Sequence, residues 1–434
     1  MADLDYFVLS LKTDSGLRGR SGGIGSLRDR AAAPIPESNE LEGMMGGALE
    51  AAVAEEPVTG ALTLESTTLS EAQAQDAARD PDAMIAPVMP VELIQPLSAA
   101  DIGADAAADP LAQAMAAKAS WGVAGVGADI SKMTGQGVTV AVLDTGIDAA
   151  HAAFAGVNIV GQDFTGSGSF ADKHGHGTHC AGTIFGRDVD GVRIGVARGV
   201  TNAIVGKVLD DRGRGSTTAV LKALHWAGAQ GANVVSMSLG FDFPAMQEQL
   251  QLGGRPQRLA TSIALKAYRE NLAMFDALLT FLMLENPASQ GMVVVAASGN
   301  ESMRQTDPNF VIDTSLPAAS SRDIISVGAV SQAAGGLFDI ANFSNTNPVL
   351  CAPGVGIVSA KPGGGLVSMN GTSMACPHVA GLAALWWQWL PANMGRASGS
   401  GVRARITANA RPGSFTPRTT LADRGSGVAT APAP

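Results

Sequence analysis

Five short apolar runs, rich in valine and isoleucine, recur through the central and C-terminal parts of this 434-residue chain. Stretches with helical patterning, such as residues 179–185 and 217–229, and Gly-rich turns separate several of them. Strands that alternate with helices form a parallel sheet covered on both faces. The sequence therefore predicts an α/β fold around a mostly parallel central sheet. The five runs are residues 138–143, 203–209, 233–239, 292–297 and 324–330.

Residues 1–98 differ in composition from the rest of the chain, with frequent Ala, Asp, Glu and Pro. They predict a small α+β region, partly disordered. Ser70, with Gln73 three positions later, has the spacing of a capping box at the start of a helix. Residues 22–60 show little periodic pattern and predict a flexible segment. The predicted strands of this region are residues 6–11, 61–64 and 84–94.

The remainder of the chain divides into a linker and a main domain. Residues 99–120 are rich in Ala and Asp and predict a linker with a processing site, and residues 121–434 predict the main domain. Within that domain, residues 259–285 have a long helical pattern. The surrounding region, residues 241–290, either shapes a cleft or an interaction surface, or faces solvent.

Composition and charge exclude several classes of function. The net charge of −10 argues against a nucleic-acid partner, which would need a basic face. Three cysteines do not form a disulfide framework, and no Cys-x-x-Cys or His-x-x-x-His spacing indicates a metal site. The first residues lack a secretory pattern, and no apolar run could span a membrane. We expect a cytoplasmic protein without a membrane partner, with unconventional export left open.

Three small-residue frames hold side chains with catalytic chemistry. Asp144 directly follows an apolar run, which places it at the carboxyl end of a strand, where ligands bind in parallel sheets. His176 and Ser373 each precede a helical pattern. A serine hydroxyl attacks only when a base removes its proton, and the base needs an anion to hold its tautomer. We predict Ser373 as nucleophile, His176 as base and Asp144 as orienting carboxylate.

Asn300 is the predicted donor to the oxyanion that such an attack creates. It follows the apolar run that ends at Ala297, so its amide can point into the cleft beside the backbone N–H of Ser373. An Asn after Gly is also a common turn former. For His174, His179 and His378, hydrogen-bonded packing is the simpler interpretation.

These residues carry a family resemblance. Through residues 144–146, 174–182 and 371–375, the segment from about residue 121 to 427 resembles a subtilisin-like serine peptidase (subtilase), close to the proteinase K branch. The resemblance implies an endopeptidase that works through an acyl-enzyme. It places the same roles on Asp144, His176, Ser373 and Asn300.

The resemblance also implies two edges that bind extended substrate as an added β-strand, and a pocket for an apolar side chain just before the cleaved bond. Arg214 either attracts an acidic substrate residue further upstream or is a solvated surface residue. The implied substrate-binding residues are Gly213, Arg214, Gly215, Ser238, Leu239, Gly240, Ala297, Ser298 and Gly299.

A propeptide is a further implication of the resemblance. Residues 61–95 resemble an inhibitory unit whose extended end, residues 88–96, would occupy the cleft until self-cleavage between about Pro96 and Ser120. The chain would then be a self-processing zymogen. The alternative is a docking domain that recruits a partner or a substrate.

No cofactor is expected to be required. The resemblance leaves structural calcium open, because many relatives bind it through an aspartate shortly after the first motif, but Ala152 and Ala153 stand near that position here. Asp188 and Asp190 lie in a loop where other relatives hold calcium, yet two carboxylates in a turn do not make a site. We therefore assign no metal ligand.

Two other functional classes remain for comparison. A binding or regulatory protein could keep the fold without turnover, if its N-terminal region blocked the cleft permanently. A nucleotide-binding α/β protein is disfavoured, because no phosphate-cradling Gly-rich loop follows the first strand of the main domain.

Overall fold

The computed structural model describes most of the chain. Almost all of residues 22–60, for which a flexible segment was predicted, lie outside the described part. The described residues are 4–13, 60–103, 109–284, 291–315, 317–318 and 323–433.

Sixteen strands occur in the described residues. In chain order, β1 to β16 are Leu4–Thr13, Gly60–Leu69, Ala83–Pro87, Pro90–Leu93, Thr139–Asp144, Asn158–Asp163, Asn202–Lys207, Arg214–Ser216, Val234–Met237, Leu239–Phe241, Val293–Ala297, Ile324–Gln332, Phe338–Ile340, Leu350–Pro353, Ile357–Ala360 and Leu366–Met369.

Eleven α-helices accompany these strands in the same part of the chain, together with 3-10 turns at Ala152–Phe154 and Ala334–Gly336. In chain order, α1 to α11 are Glu71–Ala77, Ala99–Ile102, Pro110–Ala117, Trp121–Gly125, His176–Phe185, Thr217–Ala229, Phe243–Leu252, Gln257–Leu284, Thr372–Met394, Gly399–Ala408 and Leu421–Arg424.

The central sheet has eight strands and confirms the predicted fold class. Its order is β13-β12-β11-β9-β5-β7-β6, and β14 also pairs with β12. Every pairing is parallel except that of β12 with β13. The carboxyl ends of β5, β9 and β11 therefore meet at one edge of the sheet, where a site is expected.

Alternate residues of β5 face two different apolar cores. Val140 and Val142 pack into a core that contains α5 and α9. Ala141 and Leu143 pack into a second core with α6 and α8. Because successive strand side chains point to opposite faces, this alternation shows that helices cover both faces of the sheet.

The N-terminal strands form a separate antiparallel sheet in the order β2-β1-β3. The capping box is present at α1: Gln73 N–H donates to Ser70 Oγ, and Ser70 N–H donates to Gln73 Oε1. The predicted strand over residues 84–94 is two strands, β3 and β4, and β4 leaves this sheet to pair elsewhere.

The helix α8 packs against the N-terminal sheet. Phe7 and Leu9 of β1 share an apolar core with Ala264 and Phe275 of α8. The side chain of Asn271, which is completely buried in α8, donates through Nδ2 to the Pro87 carbonyl at 2.9 Å. Of the two alternatives for residues 241–290, these contacts favour an interaction surface.

Two short helices, α2 and α3, lie within residues 99–120, for which a linker was predicted. Ser98 caps α2 through Asp101, and Ile102 is 1% exposed within the main apolar core. The Ala-rich composition that suggested a linker also suits short helices with small buried faces. The domain boundaries stay a prediction. Within the described residues, no helix has the length and apolarity needed to cross a bilayer.

Candidate active site

Asp144 and His176 meet at the carboxyl edge of the central sheet. Asp144 is the last residue of β5, His176 is the first residue of α5, and both side chains are buried. Asp144 Oδ1 lies 2.8 Å from His176 Nδ1 and also accepts the Thr145 N–H at 2.7 Å. The carboxylate therefore directs the imidazole proton to Nδ1 and leaves Nε2 as the free base.

Ser373 lies in the same site, as the second residue of α9. The Cys180 thiol connects it to the histidine, with Sγ 3.7 Å from His176 Nδ1 and 3.4 Å from the Ser373 carbonyl oxygen. The Ser373 hydroxyl, however, donates to the carbonyl of Ile94 at 3.0 Å. His176 Nε2 is buried without a hydrogen-bond partner. The N-terminal segment therefore binds the Ser373 hydroxyl, which leaves His176 Nε2 without this partner.

Asn300 points its amide at the same segment. Its Nδ2 donates to the Gln95 carbonyl at 2.9 Å. Its Oδ1 accepts the backbone N–H and the hydroxyl of Thr372 at 2.9 and 2.8 Å. Two hydrogen bonds on Oδ1 fix the orientation of the amide, so the Nδ2 donor faces the position where a substrate carbonyl would lie.

The two predicted substrate edges are brought together around β4. This strand pairs antiparallel with β8 on one side and with β10 on the other. Glu92 lies opposite Arg214 and Gly240, and the Leu93 N–H donates to the Gly213 carbonyl at 2.7 Å. Residues 90–97, which we call the cleft segment, therefore occupy the groove in the way expected of an extended substrate.

Small residues line this groove for a steric reason. Gly213 has φ +75°, and a Cβ there would stand 3.0 Å from the Leu93 Cβ. Ser238 is buried, and its hydroxyl donates to the Ser373 carbonyl at 3.2 Å. Ala297 and Ser298 are also buried at the end of β11. Gly215 lies opposite Val91 of β4, and Leu239 and Gly299 complete the predicted set at the groove.

Arg214 does not pair with the cleft segment through its charge. Its guanidinium lies 3.8 Å from Asp210, and its side chain is 64% exposed. At this exposure the ion pair contributes little. The geometry favours the interpretation of Arg214 as a solvated surface residue.

Asn370, which was not among the predicted site residues, binds the C-terminal end of the cleft segment. The Leu97 N–H donates to the Asn370 carbonyl, and Asn370 Nδ2 donates to the Leu97 carbonyl, both at 2.9 Å. Asn370 Oδ1 accepts the Gly356 N–H at 2.7 Å, which orients the amide. The position of Asn370 directly before Gly371 in the serine motif is the sequence signal that could have identified it.

Asp172 is a second missed residue, and it shapes the turn before His176. Its carboxylate accepts the Gly175 N–H at 2.8 Å, the Thr178 N–H at 2.9 Å and the Thr145 hydroxyl at 2.9 Å. Burial alone would raise its pKa, but these hydrogen bonds outweigh burial and hold the pKa of Asp172 below its usual value. Its position shortly before a helix is the signal that could have identified it.

Among the described residues, one group of three possible metal ligands is close together: Asp144, His176 and Cys180. The donor chemistry does not suit a metal. Burial, followed by the charge of Asp144, raises the pKa of the Cys180 thiol well above its usual value, whereas metals bind the thiolate. The Nδ1 of His176 is already bonded to Asp144. The Asp188 carboxylate, in the loop considered for calcium, lies 3.5 Å from the guanidinium of Arg198.

Comparison with known proteins places this geometry in context. The family model described as "Subtilase family" matches residues 135–427, which is more than half of the chain. Subtilisin-like protease 6 of Trichophyton verrucosum is 36% identical over 257 residues, covering 58% of this chain and 52% of the relative.

Two further fungal relatives are similar. Subtilisin-like protease 6 of Trichophyton rubrum is 34% identical, with 61% of this chain and 57% of the relative covered. Subtilisin-like protease 1 of Arthroderma gypseum is 32% identical, with 61% and 48% covered. The match thus spans about half the length of these curated relatives.

Proposed function

Because the chain belongs to the subtilase family, we propose that it is a serine endopeptidase that hydrolyses peptide bonds through an acyl-enzyme. One observation carries this proposal. The hydrogen-bonded pair of Asp144 and His176 lies beside Ser373, at a groove that already holds an extended polypeptide between two strand edges. The names of the fungal relatives agree with it.

In the proposed reaction, a bond forms from Ser373 Oγ to the substrate carbonyl carbon while the Oγ proton passes to His176 Nε2. Asp144 stabilises the imidazolium that results. Asn300 Nδ2 and the Ser373 N–H, at the N-terminus of α9, stabilise the oxyanion. His176 then protonates the leaving amine as the C–N bond breaks, and water repeats the sequence to release Ser373. These side chains need no cofactor for this reaction.

The cleft segment is proposed to inhibit the enzyme before processing. Attack requires the nucleophile and the oxyanion donor to act on one carbonyl. Here the Ser373 hydroxyl bonds to the Ile94 carbonyl, and the Asn300 amide bonds to the next one, that of Gln95. In this register, no single carbonyl of the cleft segment meets both groups. The arrangement supports a zymogen whose own chain fills the groove.

We propose the bond from Ile94 to Gln95 as the first self-cleavage site, upstream of the predicted range from Pro96 to Ser120. The Ile94 side chain is 4% exposed and shares an apolar core with Ala297, whereas Gln95 is exposed. An apolar pocket before the cleaved bond therefore suits Ile94. The following bond, from Gln95 to Pro96, would require proline as the leaving group.

Self-processing is tested by incubating purified wild type and Ser373→Ala and mapping their N-termini by intact mass. We expect a product that begins at Gln95 in wild type and none in Ser373→Ala, because the serine forms the bond to the carbonyl carbon. Equal fragmentation of both proteins would contradict cleavage by Ser373. A product in wild type that begins elsewhere would move the site but keep the mechanism.

The filled groove also favours a second candidate, a binding protein that never turns over. In that case residues 90–97 would stay in the groove, and Ser373 would not react with a fluorophosphonate even after limited proteolysis of the N-terminal region. The labelling measurement at the end of the Discussion separates the two candidates.

A further inference from the structure

Asn345 lies between β13 and β14, outside all of the motifs that the sequence analysis used. Its side chain is completely buried, and both ends of its amide are hydrogen-bonded. A buried amide with this many partners is strongly constrained in position, because any displacement leaves buried polar groups unpaired.

The partners of Asn345 lie on both sides of Asn300 in the chain. Asn345 Oδ1 accepts the N–H groups of Glu301 and Ser302, each at 3.1 Å. Asn345 Nδ2 donates to the Ser298 carbonyl at 3.1 Å. The backbone N–H of Asn345 donates to the Gly299 carbonyl at 3.2 Å. One residue thus binds the backbone of the four neighbours that flank Asn300.

The loop also winds closely around this amide. Gly299 has φ +111°, and a Cβ there would come within 2.3 Å of Asn345 Nδ2. Asn345 Nδ2 also reaches the Asp313 carbonyl at 3.1 Å and the Glu301 carboxylate at 2.5 Å. These contacts attach the loop over residues 298–302 to Asn345 and Asp313, while the Asn300 amide in the middle of the loop binds the cleft segment.

We propose that Asn345 is the positioning residue of the oxyanion donor. It acts through Asn300 and touches neither the cleft segment nor Ser373. This inference rests on the proposed function. Donors to a transition state must be held within about 0.5 Å of the productive position before the reaction. The Thr372 bonds orient the Asn300 side chain, and Asn345 fixes the backbone that carries it.

Asn345→Asp tests the proposal with little change of shape. It keeps the Oδ1 acceptor but replaces the Nδ2 donor with a charged oxygen beside the Glu301 carboxylate and the Ser298 and Asp313 carbonyls. After limited proteolysis of the N-terminal region opens the groove of the full-length chain, we expect kcat for a peptide substrate to fall about 10- to 100-fold, with KM within about twofold of wild type. Both strand edges of the groove remain intact, so substrate binding is preserved.

Ser344→Ala is the matched control. Ser344 is equally buried and directly precedes Asn345 in the chain, but its hydroxyl accepts the Ala329 N–H at 3.0 Å and donates to the Asn345 carbonyl at 3.5 Å, whereas the Asn345 amide binds the loop over residues 298–302. We expect its kcat to stay within about twofold of wild type. Asn345→Ser, which keeps a hydroxyl acceptor, replaces Asn345→Asp if the charged variant fails to fold.

A double-mutant cycle with Asn300→Ala separates positioning from general damage to the fold. If Asn345 acts through Asn300, its replacement lowers kcat less than about threefold when Asn300 is already alanine. An equal loss in both backgrounds, or a kcat of Asn345→Asp within twofold of wild type, would overturn the proposal. A wild type without any peptide hydrolysis would instead remove the proposed function, and this inference with it.

Discussion

At the scale of single residues, the histidines around the site divide into one reactive and several packed side chains. His179 on α5 and His378 on α9 are completely buried. Each donates a hydrogen bond to a backbone carbonyl, His179 through Nε2 to that of Ile357 and His378 through Nδ1 to that of Met374. Burial lowers the pKa of His179 to about 3 and that of His378 to about 4. Both rings are therefore neutral at physiological pH.

The low pKa of His378 predicts a loss of stability in acid. The folded pKa of about 4 lies below the unfolded value of 6.5, so below pH 6.5 the unfolded chain binds a proton that the folded chain does not. The free energy of unfolding should therefore fall as the pH drops from 6.5 towards 4. The contribution of this group reaches about 3 kcal/mol, at about 1.4 kcal/mol per pKa unit.

Denaturant unfolding at several pH values checks this, in a Ser373→Ala background that prevents self-digestion. His378→Asn retains a donor for the Met374 carbonyl but does not titrate in this range, so its stability should decline less between pH 6.5 and 4. Parallel curves for the two proteins would show that His378 does not cause the acid sensitivity.

At the scale of elements, α8 supports the N-terminal sheet from which the chain runs into the groove. It packs on β3 and shares an apolar core with β1, and β3 leads directly into the cleft segment. The Asn271 amide makes the polar contact between the helix and the end of β3. Weakening that contact should loosen the attachment of the N-terminal region to the domain that contains the central sheet.

Asn271→Leu is the corresponding variant. It leaves the Pro87 carbonyl without its buried donor, which costs about 1–3 kcal/mol at the interface. We expect peptide hydrolysis by the full-length chain to begin sooner than in wild type. Thr280→Val is the control, because the Thr280 hydroxyl bonds only within α8, to the Asp276 carbonyl. The same onset of activity in both variants would contradict a specific role for the Asn271 contact.

Elements with local signals were predictable from the sequence. The helix over residues 217–229 matches α6, and the Ser70 capping box is present, because helix periodicity and caps depend on residues three or four positions apart. The insertion of β4 between β8 and β10 was predicted only through the family resemblance. Strand pairing between segments more than a hundred residues apart leaves no local pattern.

Within the site, too, residues in local motifs were predictable, whereas residues that act through contacts between distant segments were not. Asp144, His176, Ser373 and Asn300 stand in distinctive short motifs at element ends, so the sequence identified them as candidates. Asn345 could not be found in this way, because its importance comes from contacts with residues 298–302 that only the folded chain creates. The sequence also did not predict the register of the cleft segment in the groove. That register depends on the burial of the Ile94 side chain, which only the folded chain shows.

At the scale of the whole molecule, the chain combines a mostly parallel α/β sheet with an N-terminal sheet, and β4, which follows that N-terminal sheet in the chain, crosses the groove. The three candidate catalytic residues come from three distant parts of the chain and meet because β5 ends, and α5 and α9 begin, at the same edge of the sheet. The fold thus creates the reactive centre and also supplies the segment that covers it.

The central claim is that Ser373 is a nucleophile activated by His176. The most direct measurement is reaction with a fluorophosphonate probe after limited proteolysis of the N-terminal region, with the modified residue identified by tandem mass spectrometry. We predict a single modification at Ser373, lost in Ser373→Ala and slowed at least about 100-fold in His176→Ala. An unmodified Ser373 in wild type, or equal labelling rates in wild type and His176→Ala, would contradict the account.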